Sequence, residues 1–129
     1  MKPPDLSAVE DAGVHEWKGA VEPLKAAATQ ANVTFAVADL GKAKDKGTLI
    51  GELDRALKLP EHFGHNWDAL ADVLEDRDWL GKKGRAIVLA HADGFRKSHP
   101  ADWTTLEEIL AEAAEFWKER HIPFWVFLA

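Results

Sequence analysis

Four side chains in one short stretch could do chemistry together. His62, His65 and Asp68 are spaced three apart, and Asp72 follows Asp68 by one helical turn. Imidazoles and carboxylates in such a set can ligate a divalent transition metal, which would make the chain a metal-dependent enzyme. Asp68 and Asp72 are well placed for a shared ion if their segment is helical. The two histidines precede that segment or start it, so a common centre does not follow from the spacing. The chain has no cysteine, which removes thiolate metal sites, cysteine nucleophiles and disulfides together. Ser98 and His99 are adjacent and cannot face each other as nucleophile and base. Neither a G-x-S-x-G elbow nor a phosphate-loop glycine pattern is present. The expectation is therefore no catalytic residue, no metal and no cofactor.

The same stretch has a second meaning as a field. The 129 residues carry a formal net charge of −6. Residues 61–78 hold Glu61, Asp68, Asp72, Glu75, Asp76 and Asp78 against Arg77 alone, a net of −5, while the flanking parts are nearly neutral. A focused negative field attracts a cation or a basic protein surface and repels nucleic acid. Asn66 to about Asp76 reads as a helix. Wound at the helical repeat, it puts Asp68, Asp72, Glu75 and Asp76 on one arc of about 100° and Trp67, Leu70 and Leu74 on the other side. Like charges at i,i+4, as Asp68 and Asp72 would be, cost roughly 0.2–0.5 kcal/mol. No Lys or Arg lies three or four residues from Asp72 to offset this. The helix N-terminus accounts for Asp68, but Asp72 lies a turn further in. Either a solvated helix face or a surface made for a cationic partner fits the pattern.

The elements that position this helix read as one α/β domain. Residues 1–12 are polar and proline-containing and read as a loose tail, and Gly13 to Trp17 as a short strand. Ala20 to Thr29 is expected to be a helix, Val33 to Leu40 a strand. Leu49, Leu53, Ala56 and Leu57 keep helical spacing until Pro60 stops it. Ala86 to Ala90 is apolar on both faces, as a central parallel strand is. Leu106, Ile109, Leu110, Ala113, Phe116 and Trp117 form a helical stripe, with Thr104 and Glu107 spaced as a capping box at its start. Phe124 to Leu128 closes the chain as a strand. The alternation implies a parallel sheet with right-handed crossovers. No apolar run approaches the roughly 18 residues of a membrane span, and no signal-peptide core follows Met1. A cytoplasmic address without a membrane partner is expected.

The run Leu59-Pro60-Glu61, Phe63-Gly64, Asn66, Asp68-Ala69-Leu70, Asp72 and Leu74 resembles the barstar family of intracellular inhibitors of barnase-type ribonucleases. The order of strands and helices from Val33 to Ala129 fits as well. The resemblance implies a barstar-like two-layer α/β fold, with a three-stranded parallel sheet and crossover helices over residues 33–129. Residues 1–32 would be an N-terminal extension with one helix, of a kind that longer members carry. It implies a non-enzymatic protein, acting in toxin–antitoxin immunity, that plugs the active site of a basic extracellular-type ribonuclease. Asp72 matches the acid that occupies the nuclease's phosphate pocket and Asp68 a second interface acid. Asn66 and Gly64 match loop positions beside them. Glu115, or a neighbour one residue away, matches an acid on the last helix. Three positions depart from the barstar pattern: a tyrosine is replaced by His62, a tryptophan by Ala71 and a glutamate by His65. His62 and Ala71 lie at or beside the implied interface, so these changes concern which nuclease is bound more than how. An acidic docking module for another basic protein is the alternative reading.

Overall fold

The structure, a computed structural model, describes residues 2–129; Met1, which opens the expected extension, lies outside the described residues. A 3-10 turn over Val9–Asp11 precedes β1 (Val14–Glu16), α1 (Glu22–Ala31), β2 (Thr34–Asp39) and α2 (Lys46–Leu57). Then come α3 (Trp67–Leu74), α4 (Arg77–Leu80), β3 (Arg85–Ala90), α5 (Asp93–Ser98), α6 (Pro100–Lys118) and β4 (Phe124–Leu128).

All pairings are parallel and the spatial order is β1-β4-β3-β2. The sheet therefore has four strands, which corrects the three-stranded expectation. All five residues of β4 are buried, and an outer strand with that pattern needs a neighbour. β1 supplies it, pairing Val14 to Glu16 with Val126 to Leu128. The ladder is lengthened by bonds from the Val126 N–H to the Gly13 carbonyl and from the Trp17 N–H to the Leu128 carbonyl, both 2.9 Å.

The strand order also explains the layers. From β1 to β2 the chain crosses the sheet in one direction; from β2 through β3 to β4 it steps back in the other. With right-handed crossovers, opposite directions put the connecting helices on opposite faces. The buried clusters divide accordingly. Ile87 and Leu89 of β3 and Phe124, Val126 and Leu128 of β4 pack with residues of α2, α3 and α6. Their alternates Ala86, Val88, Trp125 and Phe127 pack with Leu6, Ala12, Trp17, Leu24, Ala28 and Val33. The second face is thus covered by the N-terminal part of the chain, where two layers were expected. Nor are residues 2–12 a loose tail. Leu6 is fully buried and its carbonyl accepts the Trp125 indole N–H at 2.9 Å.

Helix α1 lies two residues later than the expected Ala20 to Thr29, and two further boundaries differ from the sequence reading. α6 begins at Pro100, so Thr104 is not its cap; the Thr104 hydroxyl bonds back to the Pro100 carbonyl at 3.0 Å. A proline suits the first turn because its missing N–H has no intrahelical partner there. The acidic helix, expected to reach Asp76, ends at Leu74, with Glu75 as its C-cap. Asp76 turns extended and caps α4 instead, its carboxylate accepting the Asp78 N–H at 2.8 Å. The expected acidic arc is therefore split between two helices.

Candidate functional site: a loop and helix ledge

The ledge is built by the chain leaving α2 and starting α3. Lys58 closes α2 in the left-handed conformation (φ 53°), and the Leu59 N–H bonds to the Asp54 carbonyl at 3.1 Å. A turn brings the Phe63 N–H to the Pro60 carbonyl at 2.9 Å, and the buried Phe63 ring anchors the segment to the core. His62, Gly64, His65 and Asn66 are left exposed around that anchor. Asn66 holds the next element from both ends of its amide. Its oxygen accepts the Ala69 N–H at 2.8 Å, capping α3, and its Nδ2 donates to the Gly64 carbonyl at 3.2 Å. An amide or carboxylate at this position satisfies one of the unpaired N–H groups of the first turn.

α3 is pinned from below. Leu70, Val73 and Leu74 are buried, Trp67 is half-buried, and the Trp117 indole N–H of α6 donates to the Leu74 carbonyl at 2.7 Å. Asp68 and Asp72 project from the other side and are exposed. Among the described residues the Asp72 carboxylate has neither an ion-pair nor a hydrogen-bond partner. Between loop and helix lies an open depression of about 220 Å³ lined by His62, Phe63, Gly64, Ala69, Asp72, Val73 and Asp76. Its floor is apolar and two carboxylates stand at its edge, a shape suited to a protruding cationic group.

The structure thus brings His62, Gly64 and Asp72 together, with Asn66 holding the loop to the helix. Asp68 occupies the first turn of α3, and Ala71 is half-buried on the same helix. Glu115 is exposed on α6 and does not line the depression. The α6 acid that acts on the α3 end is Glu112. Burial first, then Glu112, and to a lesser extent Asp72, push the half-buried Glu75 carboxyl above its ordinary value, with Arg120 opposing. The sequence reading missed Glu112, whose position on another helix no local spacing reveals. It counted Asp76 for its charge without seeing it at the depression. His62, His65, Asp68 and Asp72 do not share a centre: His65 is turned back to Asp54, 2.8 Å away. Among the described residues no group of three or more His, Asp and Glu side chains could hold a metal ion.

The scaffold is a parallel α/β fold that presents an unpaired carboxylate on a pinned helix beside a capped loop. A family model for barstar, the barnase inhibitor, matches residues 33–129, and the chain belongs to that family. None of the curated proteins matches it. Members of the family are intracellular inhibitors of barnase-like basic ribonucleases and are not enzymes.

Proposed function

We propose that residues 62–72, with Glu115 at the margin, form the surface through which this barstar-family inhibitor blocks a basic ribonuclease. The partner-binding residues are His62, Gly64, Asn66, Asp68, Ala71, Asp72 and Glu115, and Asp72 is the central anion. One observation carries the assignment: Asp72 is exposed, unpaired and rigidly held where the loop and α3 meet. A ribonuclease site collects Arg, Lys and His to hold phosphates, and charge-assisted hydrogen bonds to a carboxylate use the same donors. A carboxylate on a fixed helix fills such a site without being cleaved. The surface lies wholly within residues 33–129. Residues 1–32 serve as an extension, of which residues 2–32 add the edge strand β1 and cover one face of the sheet.

Opposite fields speed the encounter, which matters for a target that is toxic inside the cell. The test is RNA hydrolysis by barnase, titrated with the protein at graded salt. The expected outcome is loss of activity at one equivalent. The association rate should lie well above the roughly 10⁵–10⁶ M⁻¹s⁻¹ of unsteered pairs. It should fall as the Debye length shrinks from about 10 Å at 0.1 M salt to about 3 Å at 1 M. Undiminished hydrolysis by barnase and by each of a set of other basic barnase-type ribonucleases, at a tenfold excess of protein in low salt, would remove the reading.

A further inference from the structure

Eleven residues separate Asp54 of α2 from His65, yet the His65 Nε2 and an Asp54 carboxylate oxygen are 2.8 Å apart. We infer that this pair is a positioning latch that holds the 61–66 loop in the shape a ribonuclease reads. The inference rests on the assignment of that loop to the inhibitory surface.

The backbone shows why a latch is needed. His65 adopts φ 52°, in the left-handed region, which is unfavourable for a residue with a Cβ and most often taken by glycine. The residue before a helix cap can return to the extended region unless something over-determines it. Two contacts do so here. The ring leans on Phe63, with centroids 4.9 Å apart, and Nε2 meets Asp54. Phe63 and Asp54 both belong to the fixed part of the molecule, one buried in the core and the other on α2. If His65 relaxes, Gly64 turns with it. The Gly64 carbonyl then leaves the Asn66 amide, and the side of the depression formed by His62 and Gly64 shifts against Asp72.

The pair is unsuited to a role in global stability. The His65 side chain is 56% exposed and that of Asp54 29%, and ion pairs in such surroundings contribute little to folding. Nor is Asp54 neutralised by its neighbour Arg55, which is turned to Glu52. A contact with little effect on folding that spans a strained loop beside the binding surface is a device for preorganisation. Its loss should appear in binding, because the partner must then order the loop itself.

The experiment compares Asp54→Ala, Asp54→Asn, His65→Ala and the double variant Asp54→Ala/His65→Ala. Three readouts are taken: affinity for barnase, hydrogen exchange in the free protein of the Phe63 and Ala69 amides, whose bonds to the Pro60 carbonyl and the Asn66 side chain bracket the loop, and urea unfolding. Asp54→Ala should speed exchange of those amides and weaken binding on the order of tenfold, with the urea midpoint nearly unchanged. Asp54→Asn removes the charge but keeps an oxygen for the imidazole N–H, and should retain most of the affinity. His65→Ala alone, which loses the Phe63 contact as well, should bind as weakly as the double variant, since Asp54 acts on the loop only through His65. Equal losses for Asn and Ala would mean that Asp54 acts only as a charge, and unchanged amides in Asp54→Ala would mean that no latch exists; either result overturns the inference. Should Asp54→Ala fail to fold, His65→Asn tests the same point, because asparagine tolerates the left-handed conformation but is too short to replace the imidazole contact. A wild-type protein that does not bind barnase would count against the inhibitor reading, while amide exchange in the free protein would still judge the latch.

Discussion

The two faces of the sheet are covered by different kinds of structure. On one face, α2, α3 and α6 lay down long apolar stripes, and the largest buried cluster lies beneath them. On the other, a single ten-residue helix and an irregular arm do the covering, fastened by a few large side chains. Trp17 donates to the Ala20 carbonyl at 2.8 Å and Trp125 to the Leu6 carbonyl at 2.9 Å, while Trp125 and Phe127 stack with centroids 5.8 Å apart. The helical face carries the proposed binding surface; the arm-covered face carries none of its residues. The proposed function is thus concentrated where regular elements can fix a side chain, and the other face has only to exclude water from Trp125 and Phe127.

The largest expected effect breaks the arm-covered face. Trp125 is fully buried, and its removal takes away both a large apolar surface and the partner of the Leu6 carbonyl. Trp125→Ala should cost about 3–5 kcal/mol of stability in urea unfolding. The fraction that remains folded should still inhibit barnase at one equivalent. A loss under about 1 kcal/mol would mean that the N-terminal layer is accessory. Folded protein that no longer inhibits would mean that the two faces are not separable as described.

Asp72→Ala is the mirror image. Truncating a desolvated, hydrogen-bonded charge in the complex leaves the nuclease's cations unpaired, at roughly 2–5 kcal/mol in binding, a range that rests partly on the barnase–barstar pair itself. Stability should hold, or rise slightly with the loss of like-charge repulsion from Asp68. Inhibition constants and urea midpoints measured side by side check both halves. A collapsed fold would make Asp72 structural.

Asn66 joins the two behaviours in one residue. Asn66→Ala should lower stability by about 1 kcal/mol, the usual worth of a helix N-cap, and weaken inhibition as well. Asn66→Asp keeps the acceptor for the Ala69 N–H but loses the donor to the Gly64 carbonyl. It should keep the stability and lose only in binding. Identical behaviour of the two variants would show that the amide donor has no part in shaping the loop.

Much of the helical face was legible in the chain because its signals are local. Pro60 ends a stripe, Asn66 precedes one, and Leu70 and Leu74 fall on the side away from Asp68 and Asp72. The apolar run at Ala86–Ala90 identifies a central strand by the same logic, and Phe124–Leu128 a closing strand, whose place inside the sheet was not read. What was not legible depends on pairing across distance. Val14–Glu16 is too short to declare its partner, and nothing near Leu6 in sequence says that a tryptophan 119 residues later will donate to its carbonyl. The spacing of Thr104 and Glu107 misleads for a different reason. A threonine and a glutamate three apart also occur inside helices, and only Pro100, with its fixed φ and missing N–H, marks where α6 begins. The break at Asp76 was hidden because an aspartate fits both on a helix face and at a cap.

The smallest effect concerns that break. Had α3 continued to Asp76, Glu75 would be one more solvated acid on the rim. As the C-cap it is half-buried, and its carboxyl is held above the ordinary glutamate value by burial and then by Glu112, with a lesser push from Asp72. A group that binds its proton more readily folded than unfolded favours the native state below its unfolded value, here 4.5. That advantage is lost as pH rises through the folded value, so ionised Glu75 slightly destabilises the protein at neutral pH. Glu75→Gln should therefore raise the urea midpoint at pH 7 relative to wild type, and the gain should vanish below about pH 4. A midpoint gain of equal size at pH 4 and pH 7 would assign the effect to packing of the amide and return Glu75 to the status of a solvated rim acid.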